Sequence, residues 1–302
     1  MPYDVVVVGN AGVDTNVYLP GQDIDFSVEA NFTQNIDCIG QAGAYASRGY
    51  ASLGLKVGFI GAVGADVNGD WIRQTLTHQD IGTEGLFLDP AGTSRSINIM
   101  YKDGRRKNFY DGKSHMTLKA PMEIARKMFE GSRLIHFNIP NWARDLLTAA
   151  KNSGARIAAD IQDVVDPADA YRQDFIRESD FIFFSAANHA NPEPLMQRFW
   201  LLNPRLEIIA GMGAQGCTVG VNAVIRHYPA LALDLPIVDT NGAGDALAVG
   251  YLTARLFDGA PPEESALRGQ LAARYTCAQK ASSDQLITRE ILNGYLWQER
   301  HG

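Results

Sequence analysis

The stretch Asp239-Thr240-Asn241-Gly242-Ala243-Gly244-Asp245 combines a glycine turn with a carboxylate just beyond it. The residues that follow, Ala246 to Phe257, are apolar and compatible with a helix, with Leu247, Tyr251 and Ala254, and Leu252 and Leu256, at helical spacing. A turn that opens a helix aims unpaired backbone N–H groups and the positive end of the helix dipole at one spot, and glycines let a ligand approach the backbone there. The N–H groups of Gly242, Ala243 and Gly244 are therefore candidates for an anion hole that attracts phosphate. Asp245, in the first helical turn, is expected to be held ionised by the dipole and to accept a proton. A base beside an anion hole is the chemistry of group transfer. The plainer reading of such an Asp is a residue of an acidic helix start, with glycine serving the turn. Upstream, Leu233, Leu235, Ile237 and Val238 suggest a short extended segment, so the junction is strand-to-helix or loop-to-helix.

Other cofactor motifs fail on their surroundings. Gly211-Met212-Gly213-Ala214-Gln215-Gly216 matches GxGxxG, but a dinucleotide fingerprint needs a helix next, and Cys217 to Val221 is β-like. A tight hairpin turn is the better reading, which weakens a nicotinamide oxidoreductase. Gly112-Lys113-Ser114 would need glycine at 107 to form a Walker loop and has Lys107. The histidines show no ligand spacing, and Asp66, Asp70, Asp160 and Asp163 read as helix caps or surface charge, so no tightly held structural metal is expected. Cys38, Cys217 and Cys277 form no CxxC pair, which suggests a cytoplasmic protein. The 302 residues, 46% hydrophobic and 20% charged, fit a globular protein, and a net charge of -7 argues against a nucleic-acid partner. The apolar run at Val5 to Val8 is too short for a signal or membrane helix, so no membrane association is expected.

The elements that must position the turn are legible in outline. Val5 to Val8, ending in Gly9-Asn10, is a β-branched run suited to burial on both faces of a parallel sheet. Polar alternation through Thr15 to Tyr18 and Thr33 to Cys38 suggests half-exposed antiparallel strands outside the main sheet. Gly40 to Leu53 reads as a closely packed helix, and Lys56 to Gly61 with a helix from Asn68 to Asp80 as a βα unit. Ser94 to Lys102 and Arg105 to Tyr110 flank Asp103-Gly104 as a hairpin. Beyond Pro121, strands near 134–137, 157–160, 181–184 and 208–210 alternate with helices near 142–152, 169–177 and 194–201, which predicts a parallel sheet flanked by helices. Strands over 218–221 and 223–228 and helices over 262–279 and 288–298 complete the chain. No repeat or linker divides it, so residues 1–302 are expected to form one domain, with appended strands within about 15–38 and 94–110. Ligands bind outside the C-terminal ends of parallel strands, where Gly9, Gly61 and Gly211 lie.

The stretch Asp239 to Asp245, with small residues continuing through Val249 and Gly250, resembles the C-terminal signature of the PfkB, or ribokinase-like, carbohydrate kinases, and the resemblance spans essentially the whole chain. It implies a three-layer α/β/α fold around a mostly parallel sheet, with a small antiparallel β lid that closes over the sugar and supplies a dimer contact. It implies ATP-dependent phosphorylation of a hydroxymethyl group, with Asp245 as base, Mg²⁺ on the phosphates and a possible monovalent cation. Gly9-Asn10-Ala11-Gly12-Val13-Asp14 resembles the substrate element, implying sugar contacts at Asn10, Gly12 and Asp14; from its own neighbourhood Asp14 reads as a turn residue. Gly40-Gln41-Ala42-Gly43-Ala44-Tyr45 stands where the family has roughly GGxxxN, so Gly40 and Gly43 are retained. Gln41 and Tyr45 are departures, and Tyr45 either stacks on a sugar ring or fills space. Gly61 to Asp66 with Gly69 resembles GxVGxDxxG, a strand end and helix cap. In the family the loop carrying Gly211, Gly213 and Gly216 lies beside the nucleotide phosphates, and Asp239 is placed with it. The NxxE motif aligns with Ser185-Ala186-Ala187-Asn188 and lacks both characteristic residues, which alters metal handling. Lys102, Arg105, Arg106 and Lys107 form either a solvated turn or an attraction for an acidic sugar. Ribose, fructose, a keto-deoxy sugar acid and a ribonucleoside all fit as acceptors. The alternative is a catalytically silent sugar- or nucleoside-binding protein on the same fold.

Overall fold

Successive side chains of a strand point to opposite faces, so a run of four valines can be buried only where both faces are covered. In β1 (Val5–Val8), Val5 and Val7 enter a core shared with Tyr50, Leu247 and Leu271, while Val6 and Val8 enter a second core with Phe129, Phe175 and Phe199. A computed structural model describes residues 2–301 except Asp103, Pro167, Ala187, Asn188, Ser282 and Ser283.

After β1 the chain leaves for β2 (Gly12–Tyr18) and β3 (Gln34–Gly40), then returns through α1 (Ala42–Ser52), β4 (Val57–Val63), α2 (Val67–His78) and β5 (Gly82–Leu88). It leaves again for β6 (Ser94–Met100) and β7 (Arg106–Asp111). The rest alternates: α3 (Met122–Phe129), β8 (Leu134–Asn138), α4 (Leu147–Ser153), β9 (Arg156–Asp163), α5 (Ala170–Glu178), β10 (Phe181–Ser185), α6 (Glu193–Leu202) and β11 (Glu207–Gly211). Then come the hairpin β12 (Cys217–Val221) and β13 (Val224–Tyr228), followed by α7 (Ala243–Leu252), α8 (Pro262–Thr276) and α9 (Arg289–His301).

The main sheet runs β13-β12-β11-β10-β9-β8-β1-β4-β5 and is parallel except at β12 and β13. The expected layers are thus observed, with α1, α7, α8 and α9 on one face and α3 to α6 on the other. The small sheet runs β3-β2-β6-β7, and its central pair β2/β6 is parallel, so the lid is mixed where antiparallel pairing throughout was expected. The β4-α2-β5 excursion between β3 and β6 brings β6 in beside β2 in the same direction, as a crossover does. The β6/β7 hairpin closes through Tyr101 N to Arg105 O at 3.0 Å, and Asp103 of the expected turn lies outside the described residues.

Three local differences have physical causes. The helix expected over 142–152 begins as a 3₁₀ turn, Asn141–Leu146, behind Pro140. Leu233 to Val238 joins no described strand; the Leu233 and Pro236 carbonyls accept from Arg274 at 3.3 and 3.1 Å, so the junction before α7 is loop-to-helix. Finally, α7 starts three residues before the expected Ala246 and gives way to a π-helical turn at Thr253–Phe257.

That π turn aims Arg255 at Glu207, a buried carboxylate (7% exposed) that also accepts from Tyr251 at 2.5 Å. Removing the cation would leave an uncompensated buried charge, so Arg255→Leu is expected to cost about 3–5 kcal/mol, read by urea denaturation. Lys119→Ala, at a surface pair with Asp145 where the lysine is 80% exposed, is expected to cost under about 1 kcal/mol. Among the described residues no helix is long and apolar enough to cross a membrane.

Candidate active site

The backbone turns left-handed at Gly242 (φ 75°), a conformation open to glycine without steric cost, and α7 begins at the next residue. Asp239 fastens the approach: its Oδ1 accepts from Asn241 N at 2.7 Å and its Oδ2 from the Tyr18 hydroxyl of β2 at 2.6 Å. Both of its oxygens are engaged and it is 1% exposed, so this carboxylate fastens the turn. A Cβ on Gly244 would meet nothing within 4 Å, so the first turn of α7 is open at Gly244, while the Ala243 N–H donates to Thr240 O at 3.4 Å.

Asp245 lies half-buried in the first turn of α7. Burial raises its pKa well above the usual carboxylate value, the Asp160 carboxylate raises it further, and Arg106 opposes both. The helix dipole is therefore outweighed in setting the Asp245 pKa. A dipole contributes about 0.3–1 kcal/mol at a helix end, less than desolvation and a like charge together. Asp160 is a second correction. It is 8% exposed in β9, paired in register with Asn138, and its own pKa is raised by burial, so it is neither a cap nor surface charge.

Asp14 lies in mid-β2 at 3% exposure and is no turn residue. Its Oδ1 accepts from Gln41 Nε2 at 2.9 Å and its Oδ2 from Asn241 Nδ2 at 3.3 Å. Burial raises its pKa, and the hydrogen bonds from Asn241, Ser96 and Gln41 pull it back. Gln41 replaces a family glycine yet keeps a left-handed backbone (φ 73°), held by bonds to Asp14 and, at 2.7 Å, to Ser96. Gly40 is needed for close approach, since a Cβ there would lie 2.1 Å from the Asp14 carboxylate. Gly12 and Gly43 likewise abut backbone, of Ser94 and Asn10. Tyr45 is 5% exposed and its hydroxyl accepts from Asn241 Nδ2 at 2.9 Å. The Asn10 amide donates to the Tyr110 hydroxyl of β7 at 2.6 Å.

Sequence reasoning missed several groups gathered here. Asn241 links Asp14, Tyr45 and Arg106, and Arg106 of the basic hairpin turns inward to donate to its Oδ1. Asn138, at the C-terminal end of β8, is 2% exposed, and among the described residues neither amide atom has a partner. A buried orphan amide costs about 1–3 kcal/mol, so Asn138 stands ready for a ligand hydroxyl. The only available signal was its place after the apolar run Leu134 to Phe137.

The GxGxxG segment is a hairpin: a 3₁₀ turn at Gly213–Gln215 joins antiparallel β11 and β12, with Gly213 and Gly216 at φ 56° and 98°. It walls an open cleft of about 590 Å³ whose lining includes Asn191, Glu193, Gln215, Thr218 and His227, within the usual range for small-molecule sites. A Cβ on Gly211, next to the cleft-lining Met212, would stand 3.6 Å from Leu247 of α7. In the segment aligned with NxxE, Ala186 N donates to Gly211 O at 2.9 Å, while Ala187 and Asn188 lie outside the described residues.

Comparison with known proteins agrees with this geometry. The chain is 28% identical to acarbose 7(IV)-phosphotransferase from Actinoplanes sp. over 96% of its length and 97% of that protein. It is 25% identical to fructokinase from Klebsiella pneumoniae (82% and 87% covered) and 24% identical to cytidine kinase from Thermococcus kodakarensis (90% and 95%). Its fold superposes on a microbiome-derived acarbose kinase with a TM-score of 0.89 at 24% identity (98% and 100% covered), and on ribokinase from Thermotoga maritima with 0.79 at 18% (98% and 99%). The pfkB family carbohydrate kinase model matches residues 39–289, and the chain belongs to that family of ribokinase-like enzymes, which phosphorylate small sugars or nucleosides with ATP.

Proposed function

We propose that residues 1–302 act as one kinase domain in which Asp245 removes the proton from an acceptor hydroxymethyl group as its oxygen attacks the γ-phosphorus of ATP. The observation that carries this reading is a base at the mouth of an open helix N-terminus, a few residues from Asn241, which holds the acceptor-side Asp14. A raised carboxylate pKa suits the role, because a stronger base takes a proton more readily near neutral pH. The N–H groups of Gly242, Ala243 and Gly244 meet the charge that develops on the phosphoryl oxygens. Asn10, Asp14 and Asn138 read the acceptor hydroxyls; Gly12, Gly40, Gly43 and Tyr45 shape the same pocket. The triphosphate lies along the loop of Gly211, Gly213 and Gly216, and Asp239 holds the turn between the two halves.

Mg²⁺ supplies charge neutralisation on the nucleotide phosphates. Among the described residues no three His, Cys, Asp or Glu side chains cluster as a metal site. The ion would be held chiefly by the phosphates, with Asp160 as the nearby carboxylate, a donor set that fits its usual reliance on one or two carboxylates. A monovalent cation near the turn, a dimer built through the lid, and a cytoplasmic setting belong to the same proposal.

Asn138 offers a test on the acceptor side. Asn138→Leu is expected to raise the acceptor KM by about 10-fold, the value of one lost hydrogen bond, with no loss of thermal stability because an orphan amide is removed. An unchanged KM would detach Asn138 from the acceptor. A coupled ADP-release screen over ribose, fructose, a keto-deoxy sugar acid, a ribonucleoside and an acarbose-like oligosaccharide tests the reading as a whole. Acceptor binding by calorimetry with no ADP formed would favour the silent binder.

A further inference from the structure

Strand β7 places Arg106, Asn108 and Tyr110 at alternate positions, so all three face the same way. Each meets a partner across the cleft or the lid: Asn241, Asn98 (2.8 Å) and Asn10 (2.6 Å). Asn108 and Tyr110 end in groups suited to hydroxyls. Arg106 is different, because it carries a cation on the lid to the residue immediately before Gly242. That hydrogen bond uses Nη1 alone of a guanidinium that has five N–H donors in a rigid fork. Asn241 is in turn fixed through Nδ2 by Asp14 and Tyr45, so its Oδ1 is presented to Arg106 and the guanidinium is steered over the start of α7.

Two facts say what the remaining donors meet. The space beside Gly244 is open, and it lies at a helix N-terminus, where an anion is favoured. Carboxylates surround that space from other elements, Asp160 from β9 and Asp14 from β2, with Asp245 on α7 itself; Arg106 is the basic group that acts on Asp245 against them. An incoming polyphosphate needs positive charge in this place, and the NxxE-aligned segment lacks its characteristic residues.

We propose that Arg106 is a catalytic residue, a lid-borne clamp whose guanidinium donates to the oxygens of the transferring phosphoryl group once the lid closes. This rests on the kinase reading above. The acceptor oxygen forms the new bond to the γ-phosphorus, and the bond from phosphorus to the β,γ-bridging oxygen breaks, its electron pair leaving with ADP. The acceptor proton passes to Asp245. Arg106 exchanges no atoms; it stabilises charge on the equatorial oxygens from the lid while the α7 N–H groups do so from the core.

The test compares wild type, Arg106→Gln and Arg106→Lys with saturating ATP and a neutral sugar. In parallel, calorimetry measures the affinity of each for ADP alone and for ADP with aluminium fluoride, a mimic of the phosphoryl group in flight. The glutamine variant is expected to lose about 10²–10³-fold in kcat, the value of a charged oxyanion donor, with acceptor KM little changed and the lysine variant intermediate. Affinity for ADP with aluminium fluoride is expected to fall with kcat, while affinity for ADP alone holds. Unchanged affinity for ADP with aluminium fluoride would overturn the clamp, as would a loss confined to acceptor KM, which marks a lid strap, or to acidic acceptors, which marks a carboxylate reader. If wild type transfers phosphate to no acceptor, the kinase reading fails by itself, and the aluminium fluoride comparison still decides the clamp.

Discussion

Asp245→Asn is expected to lower kcat by about 10²–10⁴-fold, the range for loss of a general base, while the fold and nucleotide binding persist. Asparagine keeps the shape of the carboxylate at the start of α7, so the loss isolates proton removal. The wild-type pH profile carries the same signature. Burial and Asp160 raise the Asp245 pKa, Asp14 adds to them, and Arg106 opposes. As pH falls through that raised value the base becomes protonated and rate is lost, so the acid limb of kcat/KM is expected above the ordinary carboxylate range, near pH 4.

Stability is expected to run the other way. Between the unfolded and folded pKa values of Asp245 the native state binds more protons than the unfolded state, so stability drops as pH rises through that window. Above that window wild type carries the full cost of a desolvated charge, and there Asp245→Asn is expected to melt at a higher temperature. Below about pH 4, where the carboxyl is protonated in both states, the difference should vanish. A variant that loses stability above that window would show that burial of this charge is not what sets its pKa.

Gly40→Ala is expected to have a large effect, although it adds one methyl group and touches neither turn nor base. The new Cβ would lie 2.1 Å from both Cγ and Oδ2 of Asp14, so the carboxylate must move. Moving it breaks the bonds from Gln41 and Asn241, and Asn241 belongs to the turn that leads into α7. Displacement of reacting groups by about 1 Å costs roughly 10²-fold, so kcat/KM for the acceptor is expected to fall by that order. Isothermal titration should show acceptor affinity reduced and nucleotide affinity retained. Retention of acceptor affinity would mean that Asp14 does not read the acceptor.

The parts legible in the sequence were those that obey local rules. Four consecutive valines imply a doubly covered strand whatever surrounds them, and a glycine-rich run before an apolar segment implies a helix start. The edge strand β5 escaped because most of its side chains are partly or fully exposed, leaving little alternation to detect. The acceptor side was harder for a different reason. Asp160, Asn138 and Arg106 lie on three strands far apart in the chain, and what faces each of them is set by the fold. A polar residue at the end of a buried strand looks like the start of a loop, and an arginine in a basic hairpin looks like solvated charge. Gln41 and Tyr45 stood out as departures, but their mutual partners, Asp14 and Asn241, could be named only in three dimensions.

The reading of Asp245 changed most. Its place at a helix N-terminus suggested a carboxylate kept ionised, whereas a neighbouring carboxylate and desolvation make it a stronger base than an ordinary Asp. The most direct measurement is phosphorus NMR of ATP with an acceptor identified by the ADP screen, run with wild type and with Asp245→Asn. Wild type should produce ADP together with a phosphomonoester on the acceptor hydroxymethyl group, and the variant should produce neither at a comparable rate. A variant that forms the phosphomonoester at the wild-type rate would contradict the account.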